Sequence, residues 1–168
     1  ADVVGHSMGG VISVLLAKLF PHRVNRLVLA EPTIVPWNAR LSAKIKDYGS
    51  EENFKENFES FINKFKKNDG SSPNHFYNTL IQTNDYALYR SAVSIVEYAN
   101  SPLYQELLKL NIKRAFIKGE NSYHIIDEKM QKEFKEHGID YFVIPQAGHG
   151  MMWDNRPVFY DTLCRGLC

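Results

Sequence analysis

The sequence predicts an α/β fold in which a parallel sheet flanked by helices carries an inserted all-helical segment. Three stretches carry that prediction: a strand, helix and strand within residues 1–30, a region over 33–101 from which strand-like runs vanish, and a return of strand–helix alternation between 113 and 168. Strand, helix, strand in so short a span is a βαβ unit, which implies parallel pairing and a right-handed crossover.

Each element follows from its residues. Ala1 to Val4 is short and β-branched, the end of a buried strand that runs straight into Gly5-His6-Ser7-Met8-Gly9-Gly10. Val11, Ile12, Val14, Leu15, Leu16, Leu19 and Phe20 are apolar almost all round, so a buried helix is expected from Gly9 or Gly10 to Phe20, ended by Pro21. Arg26 to Ala30 is a compact apolar run of the kind covered on both faces. Phe54, Phe58, Phe61, Ile62 and Phe65 then recur on one face of an amphipathic helix from Glu51 to Lys66. Asp69-Gly70-Ser71-Ser72-Pro73 breaks that pattern, and Asn74 to Gln82 and Asp85 to Tyr98 are expected as two more helices. Leu103 to Leu110 is another helix, and Lys113 to Ile117 a strand that stops at Lys118-Gly119-Glu120. Asp127 to Glu136 is a helix closed by Gly138, with Asp127 at its N-cap, and Tyr141 to Ile144 is the next strand. Arg156-Pro157 opens a terminal helix, with Asp154 and Asn155 expected to cap it.

Composition narrows the function classes. With 168 residues, 44% hydrophobic and 23% charged, the chain has ordinary globular usage, which excludes a disordered tail, and length alone suggests one domain. Lys and Arg number 20 against 19 Asp and Glu, so no broad basic field exists to hold nucleic acid. No apolar run reaches the ~18–20 residues that cross a bilayer, and no charged-then-apolar leader opens the chain. A cytoplasmic protein with neither nucleic acid nor membrane as partner is expected. Cys164 and Cys168 fit neither a zinc site nor a disulfide framework and are expected to be reduced thiols. No phosphate loop, dinucleotide fingerprint or metal cluster is apparent, so no cofactor and no metal is expected.

The sharpest chemical signal is Gly5-His6-Ser7-Met8-Gly9, a G-x-S-x-G between a strand end and an apolar helix. A sharp strand-to-helix turn forces its central residue into a strained conformation, and small residues two before and two after it avoid collision with the flanking elements. Gly5 and Gly9 are read in that role. The turn lifts the Ser7 hydroxyl to the helix amino terminus, where the N–H of Met8 can donate to a developing oxyanion. The second signal is His149, in a Gly-His-Gly loop after a strand and before the terminal helix, so that serine comes first in the chain and histidine last.

On GHSMGG at 5–10, RLVLAEP at 26–32 and PQAGHGMMWDNRP at 145–157, the chain resembles the α/β-hydrolase superfamily over its whole length. The resemblance implies a cofactor-independent serine hydrolase acting by acyl transfer, most simply a carboxylic-ester hydrolase. Ser7 would be the nucleophile, His149 the base and Met8 an oxyanion-hole donor. It implies a hydrolase core of 1–32 and 102–168 and a helical cap of 33–101. The third triad member departs from pattern, because the position where most of the superfamily carries the aspartate of G-x-x-Asp holds Ser122. Glu31 ends the strand after the nucleophile helix, a site some members use, and a carboxylate at the rim of a buried run needs a partner. Glu31 is therefore the preferred acid, and Glu120 the alternative in the usual loop.

The other readings are plainer. Most of the aromatic face from Phe54 to Phe65 is expected to pack on neighbouring helices, with a minority roofing a pocket for an apolar ester as the small-molecule substrate. His6 is the variable residue of the turn, and His75 and His124 are expected at the surface, none with a role. The superfamily builds several strands ahead of the nucleophile strand, and Ala1 stands where a translation start would be methionine. The expectation is a partial fold, the carboxyl-terminal part of a larger domain, weakly active or inactive alone. It would expose a sheet edge unless a companion amino-terminal fragment or a homodimer covers it. The rival function is a ligand-binding protein with a broken triad, and an amide, thioester or carbon–carbon bond hydrolase shares the same residues.

Overall fold

The computed structural model describes residues 1–66 and 75–168. The expected break at Asp69–Pro73 and the expected helix start at Asn74 lie outside the described residues. The chain divides into two compact units, 1–39 with 97–168, and 40–96. The helical unit is thus narrower than the 33–101 expected from composition. Ile34 and Val35 account for part of the difference, since both are buried in the same apolar cluster as Leu27 and Phe116 of the sheet.

In chain order the first unit runs β1 (Asp2–His6), α1 (Met8–Leu19) and β2 (Arg26–Ala30), and the second holds α2 (Arg40–Lys46), α3 (Glu51–Asn63), α4 (His75–Leu80) and most of α5 (Asp85–Ala99). The first unit resumes with α6 (Leu103–Lys109), β3 (Lys113–Gly119), α7 (Glu128–Glu136), β4 (Ile139–Ile144), α8 (Met151–Asp154) and α9 (Arg156–Leu167). The four strands pair in the order β1-β2-β3-β4, all parallel. Their register sets His6 beside Ala30, Ala30 beside Ile117, and Gly119 beside Ile144. Every strand therefore delivers its following loop to one edge, the place where parallel sheets gather chemistry.

The two faces of the sheet bury alternate residues. Leu27, Leu29 and Phe116 pack with α1, α6 and α7 residues such as Val14, Leu107 and Phe134. Val28, Ala30, Ala115 and Ile117 face the other way, onto Met151 and Phe159. That double burial is why β2 and β3 read as continuous apolar runs. Gly166 lets α9 come close, since a Cβ there would stand 3.0 Å from Ala115 Cβ. Arg114 is buried without a carboxylate partner among the described residues, and its guanidinium donates instead to the carbonyls of Leu107, Leu108, Ile112 and His137. The carbonyls of Leu107, Leu108 and His137 lie at the carboxyl ends of α6 and α7, where orphan carbonyls favour a cation.

Among the described residues β1 pairs only with β2, and Val4, Ile12, Leu16, Leu19 and Phe20 are exposed on β1 and along α1. α8 was not expected from sequence, being a single short turn inside the loop after β4. In the second unit, Phe54, Phe61 and Ile62 are buried with Ile45, Leu80 and Tyr89. Phe54 meets Tyr48, Phe58, Phe61 and Tyr89 at ring-centroid distances of 5.2–5.8 Å. Ser50 starts α3 by accepting from the Asn53 N–H at 3.2 Å, the reciprocal of an orphan donor. No helix among the described residues is long and apolar enough to cross a membrane. Cys164 and Cys168 are both exposed free thiols.

Candidate active site

Ser7 occupies the turn between β1 and α1 with φ 53° and ψ −118°, a conformation that costs a non-glycine residue about 1–3 kcal/mol. Its backbone is fixed on both sides. The Ser7 N–H donates to Ala30 O at 3.0 Å, and its carbonyl accepts from Gly10 and, at 3.4 Å, from Thr33. A Cβ on Gly5 would lie 2.6 Å from Gly9 O and 2.7 Å from Gly10 Cα, so only glycine fits there. The second constraint differs from the sequence expectation. A Cβ on Gly9 meets nothing within 4 Å, whereas one on Gly10 would lie 2.6 Å from Pro32 Cβ. The helix turns Gly10, not Gly9, toward the chain leaving β2. Met8 is the first residue of α1, so its N–H has no carbonyl within the helix to reach.

Glu31 follows β2 in a left-handed conformation, φ 44°, and its side chain is fully buried. Its Oε2 lies 2.6 Å from His149 Nδ1 and accepts from Ser122 Oγ at 2.7 Å, while Oε1 accepts from the Gly119 N–H at 2.8 Å. Burial pushes the Glu31 carboxyl up, but the hydrogen bonds from His149, Ser122 and Gly119 together hold it below the usual carboxylate range. A carboxylate against Nδ1 selects the tautomer whose Nε2 carries a lone pair.

The other acids are spent on backbone groups. Glu120 Oε2 accepts from the Gln146 N–H at 2.8 Å, and Asp127 accepts from the Met130 N–H at 2.8 Å as an N-cap. Neither pairs with His149. Asp154 and Asn155 do not cap α9 through their side chains. They hold the histidine loop instead, Asp154 accepting from the Gly148 N–H at 2.8 Å and Asn155 donating to Pro145 O at 2.9 Å. A Cβ on Gly119 would strike Gly148 O at 2.2 Å, which measures how tightly this loop crosses the end of β3.

Two histidines expected to be uninvolved flank His149. His6 Nε2 lies 2.8 Å from His149 O, and the two rings are 4.5 Å apart. His124, expected at the surface, is only 2% exposed and stacks on His149 with centroids 4.6 Å apart and planes 13° from parallel. Burial drives His124 down to about 4, helped by the neighbouring His149, and burial likewise lowers His6. The run Tyr123-His124-Ile125-Ile126 offered one signal for this, a histidine set in apolar sequence. Glu31, His124 and His149 bring ligand atoms within 4.8 Å of one another, the residue types of a metal centre. The two rings, however, lie in nearly parallel planes, so their in-plane lone pairs do not converge on one point, whereas a zinc ion needs them to meet at about 2.0–2.1 Å.

The structure thus joins Glu31 to His149 and sets Ser7 at the same edge of the sheet. Among the described residues no hydrogen bond links Ser7 Oγ to His149. A sequence profile described as the alpha/beta hydrolase fold matches residues 1–156. The chain belongs to the alpha/beta hydrolase fold family. Comparison with curated proteins gives no match. Similar solved structures include a carboxylesterase study from the ammonia-oxidizing thaumarchaeon Nitrososphaera gargenis, with TM-score 0.71 and 18% identity, covering 99% of this chain and 64% of that one. An esterase from Exiguobacterium antarcticum superimposes with TM-score 0.70 and 20% identity over 98% of this chain and 65% of its own. A meta-cleavage product hydrolase from Pseudomonas fluorescens gives 0.62 and 15% over 99% and 64%. This alpha/beta hydrolase chain therefore spans just under two thirds of the length of those neighbours.

Proposed function

We propose that this chain carries the catalytic residues of a serine hydrolase acting by acyl transfer, with a carboxylic ester as substrate. Ser7 Oγ attacks the carbonyl carbon, and His149 Nε2 takes the hydroxyl proton and returns it to the leaving alcohol. Glu31 stabilises the imidazolium, and the Met8 N–H donates to the oxyanion. Water then repeats the sequence on the acyl-enzyme and releases the acid.

The observation that supports this best is the 2.6 Å contact between His149 Nδ1 and the buried Glu31 carboxylate. A protein with a broken triad would leave His149 without an acid, and the strained turn at Ser7 would have no use. Two of the similar structures are described as esterases, which favours esters. The meta-cleavage neighbour is the reason to assay carbon–carbon bond hydrolysis beside them. The test is hydrolysis of p-nitrophenyl esters by wild type and Ser7→Ala: a rate above background that vanishes in the variant supports the proposal, and equal rates overturn it.

A further inference from the structure

We propose that His124 is a positioning residue for the base: its buried ring, stacked on His149, holds the His149 imidazole in the plane that faces Glu31. The inference rests on the serine-hydrolase reading above and adds a residue to it.

His124 is an unusual choice for its place. Both of its ring nitrogens are buried with no hydrogen-bond partner among the described residues. Leaving a buried polar group unpaired is unfavourable. The ring is therefore held by packing and not by hydrogen bonds, against a tilted Tyr123 ring and, nearly parallel, against His149. Its backbone is pinned on both sides. The His124 N–H donates to Ser122 Oγ at 3.2 Å, the same hydroxyl that donates to Glu31. Next in the chain, the Ile125 N–H donates to Asn38 Oδ1 at 2.9 Å, and the Ile125 carbonyl accepts from Trp37 and Asn38. One short loop thus orients the acid through Ser122 and the base through His124. The His6 ring, 4.5 Å from that of His149, and the Tyr123 ring, 5.3 Å from it, contact the base as well, but tilted by 37° and 47°, so His124 is the near-parallel neighbour.

A hydrogen bond to Glu31 alone leaves His149 free to rotate about the Nδ1···Oε2 line. The stack removes that freedom, and a misplacement of about 1 Å at a reacting atom can cost about a hundredfold in rate.

The experiment compares His124→Leu, which fills the space without a flat ring, and His124→Phe, which keeps one, in the 168-residue chain. Ester hydrolysis, the fluorophosphonate labelling rate and the low-field proton resonance of His149 Nδ1–H are measured for each. We expect His124→Leu to lower kcat at least about tenfold with KM within about threefold, and to shift or broaden the resonance. His124→Phe should restore most of both. An unchanged resonance and kcat in a folded His124→Leu, or equal losses in the two variants, would overturn the proposal. Absence of Ser7 labelling in wild type would refute the serine-hydrolase reading instead, and the resonance would still decide whether His124 orders His149.

Discussion

Ser122 Oγ donates to Glu31 Oε2 at 2.7 Å, the same carboxylate oxygen that faces His149 Nδ1 at 2.6 Å. Ser122 stands at the loop position that usually carries the acid in this superfamily. Here the carboxylate arrives from the end of β2, and the serine has become its hydrogen-bond donor.

The relation predicts a transplant. Glu31→Gln should remove most ester hydrolysis, and adding Ser122→Asp to that variant should recover at least about tenfold, because Ser122 and the His149 imidazole meet at the same Glu31 oxygen and a carboxylate at 122 would extend toward that imidazole. Ser122→Ala alone should cost about 1.5 kcal/mol, roughly tenfold in rate, as expected for one bond to a charged group. Steady-state kinetics of the four proteins checks this, and a double variant no better than Glu31→Gln would argue against a shared geometry.

The two glycines that follow Ser7 should behave oppositely. Gly10→Ala places a Cβ 2.6 Å from Pro32 Cβ and should destabilise by about 1–3 kcal/mol. Gly9→Ala meets open space inside α1 and should be neutral or stabilising by up to about 1 kcal/mol. Urea unfolding of both variants reads the difference.

Much of this was legible in the sequence. A β-branched strand end, GHSMGG and an apolar helix specify the turn at Ser7, with Gly5 and Gly10 required by close contacts that a Cβ would violate. Glu31 could be chosen because the run before it is buried and a rim carboxylate must find a partner. Its rival Glu120 differed only in three dimensions, where the Gln146 N–H takes it. The burial of His124 is not legible in sequence, because a single histidine carries no periodicity and its stacking partner His149 lies 25 residues further on. The role of Asp154 is hidden for a related reason. Its position before a helix favours capping, but the β4–α8 loop folds back and offers the Gly148 N–H first.

Acid should weaken the fold in two stages. His124 binds a proton at its ordinary value of 6.5 when unfolded but only near 4 when folded, so the unfolded state takes up more protons between those values. Stability is then full above 6.5 and falls as pH drops toward 4, by up to about 1.4 kcal/mol per unit. Glu31, depressed below its ordinary 4.5, adds a further loss only below that pH. Thermal unfolding of wild type and His124→Leu from pH 7.5 to 4 should show a smaller decline in the variant. Parallel declines would mean that His124 is not the group responsible.

Val4 is exposed on β1, the edge strand of the described sheet, and Ile12, Leu16, Leu19 and Phe20 are exposed along α1 and at its end. Such edges favour pairing with another chain. The purified chain is expected to self-associate beyond its 19.3 kDa mass at high concentration, and Val4→Lys with Leu19→Glu should return it to a monomer. Sedimentation velocity decides between these outcomes.

The central claim is that Ser7, His149 and Glu31 act as one nucleophilic unit. Its most direct test is covalent labelling by a fluorophosphonate, located by peptide mass spectrometry in wild type, Ser7→Ala, Glu31→Gln and Glu120→Gln. The expected result is a label on Ser7 in wild type and Glu120→Gln, none in Ser7→Ala, and a rate at least about a hundredfold lower in Glu31→Gln. Labelling that persists in Ser7→Ala, or that slows more in Glu120→Gln than in Glu31→Gln, would contradict it.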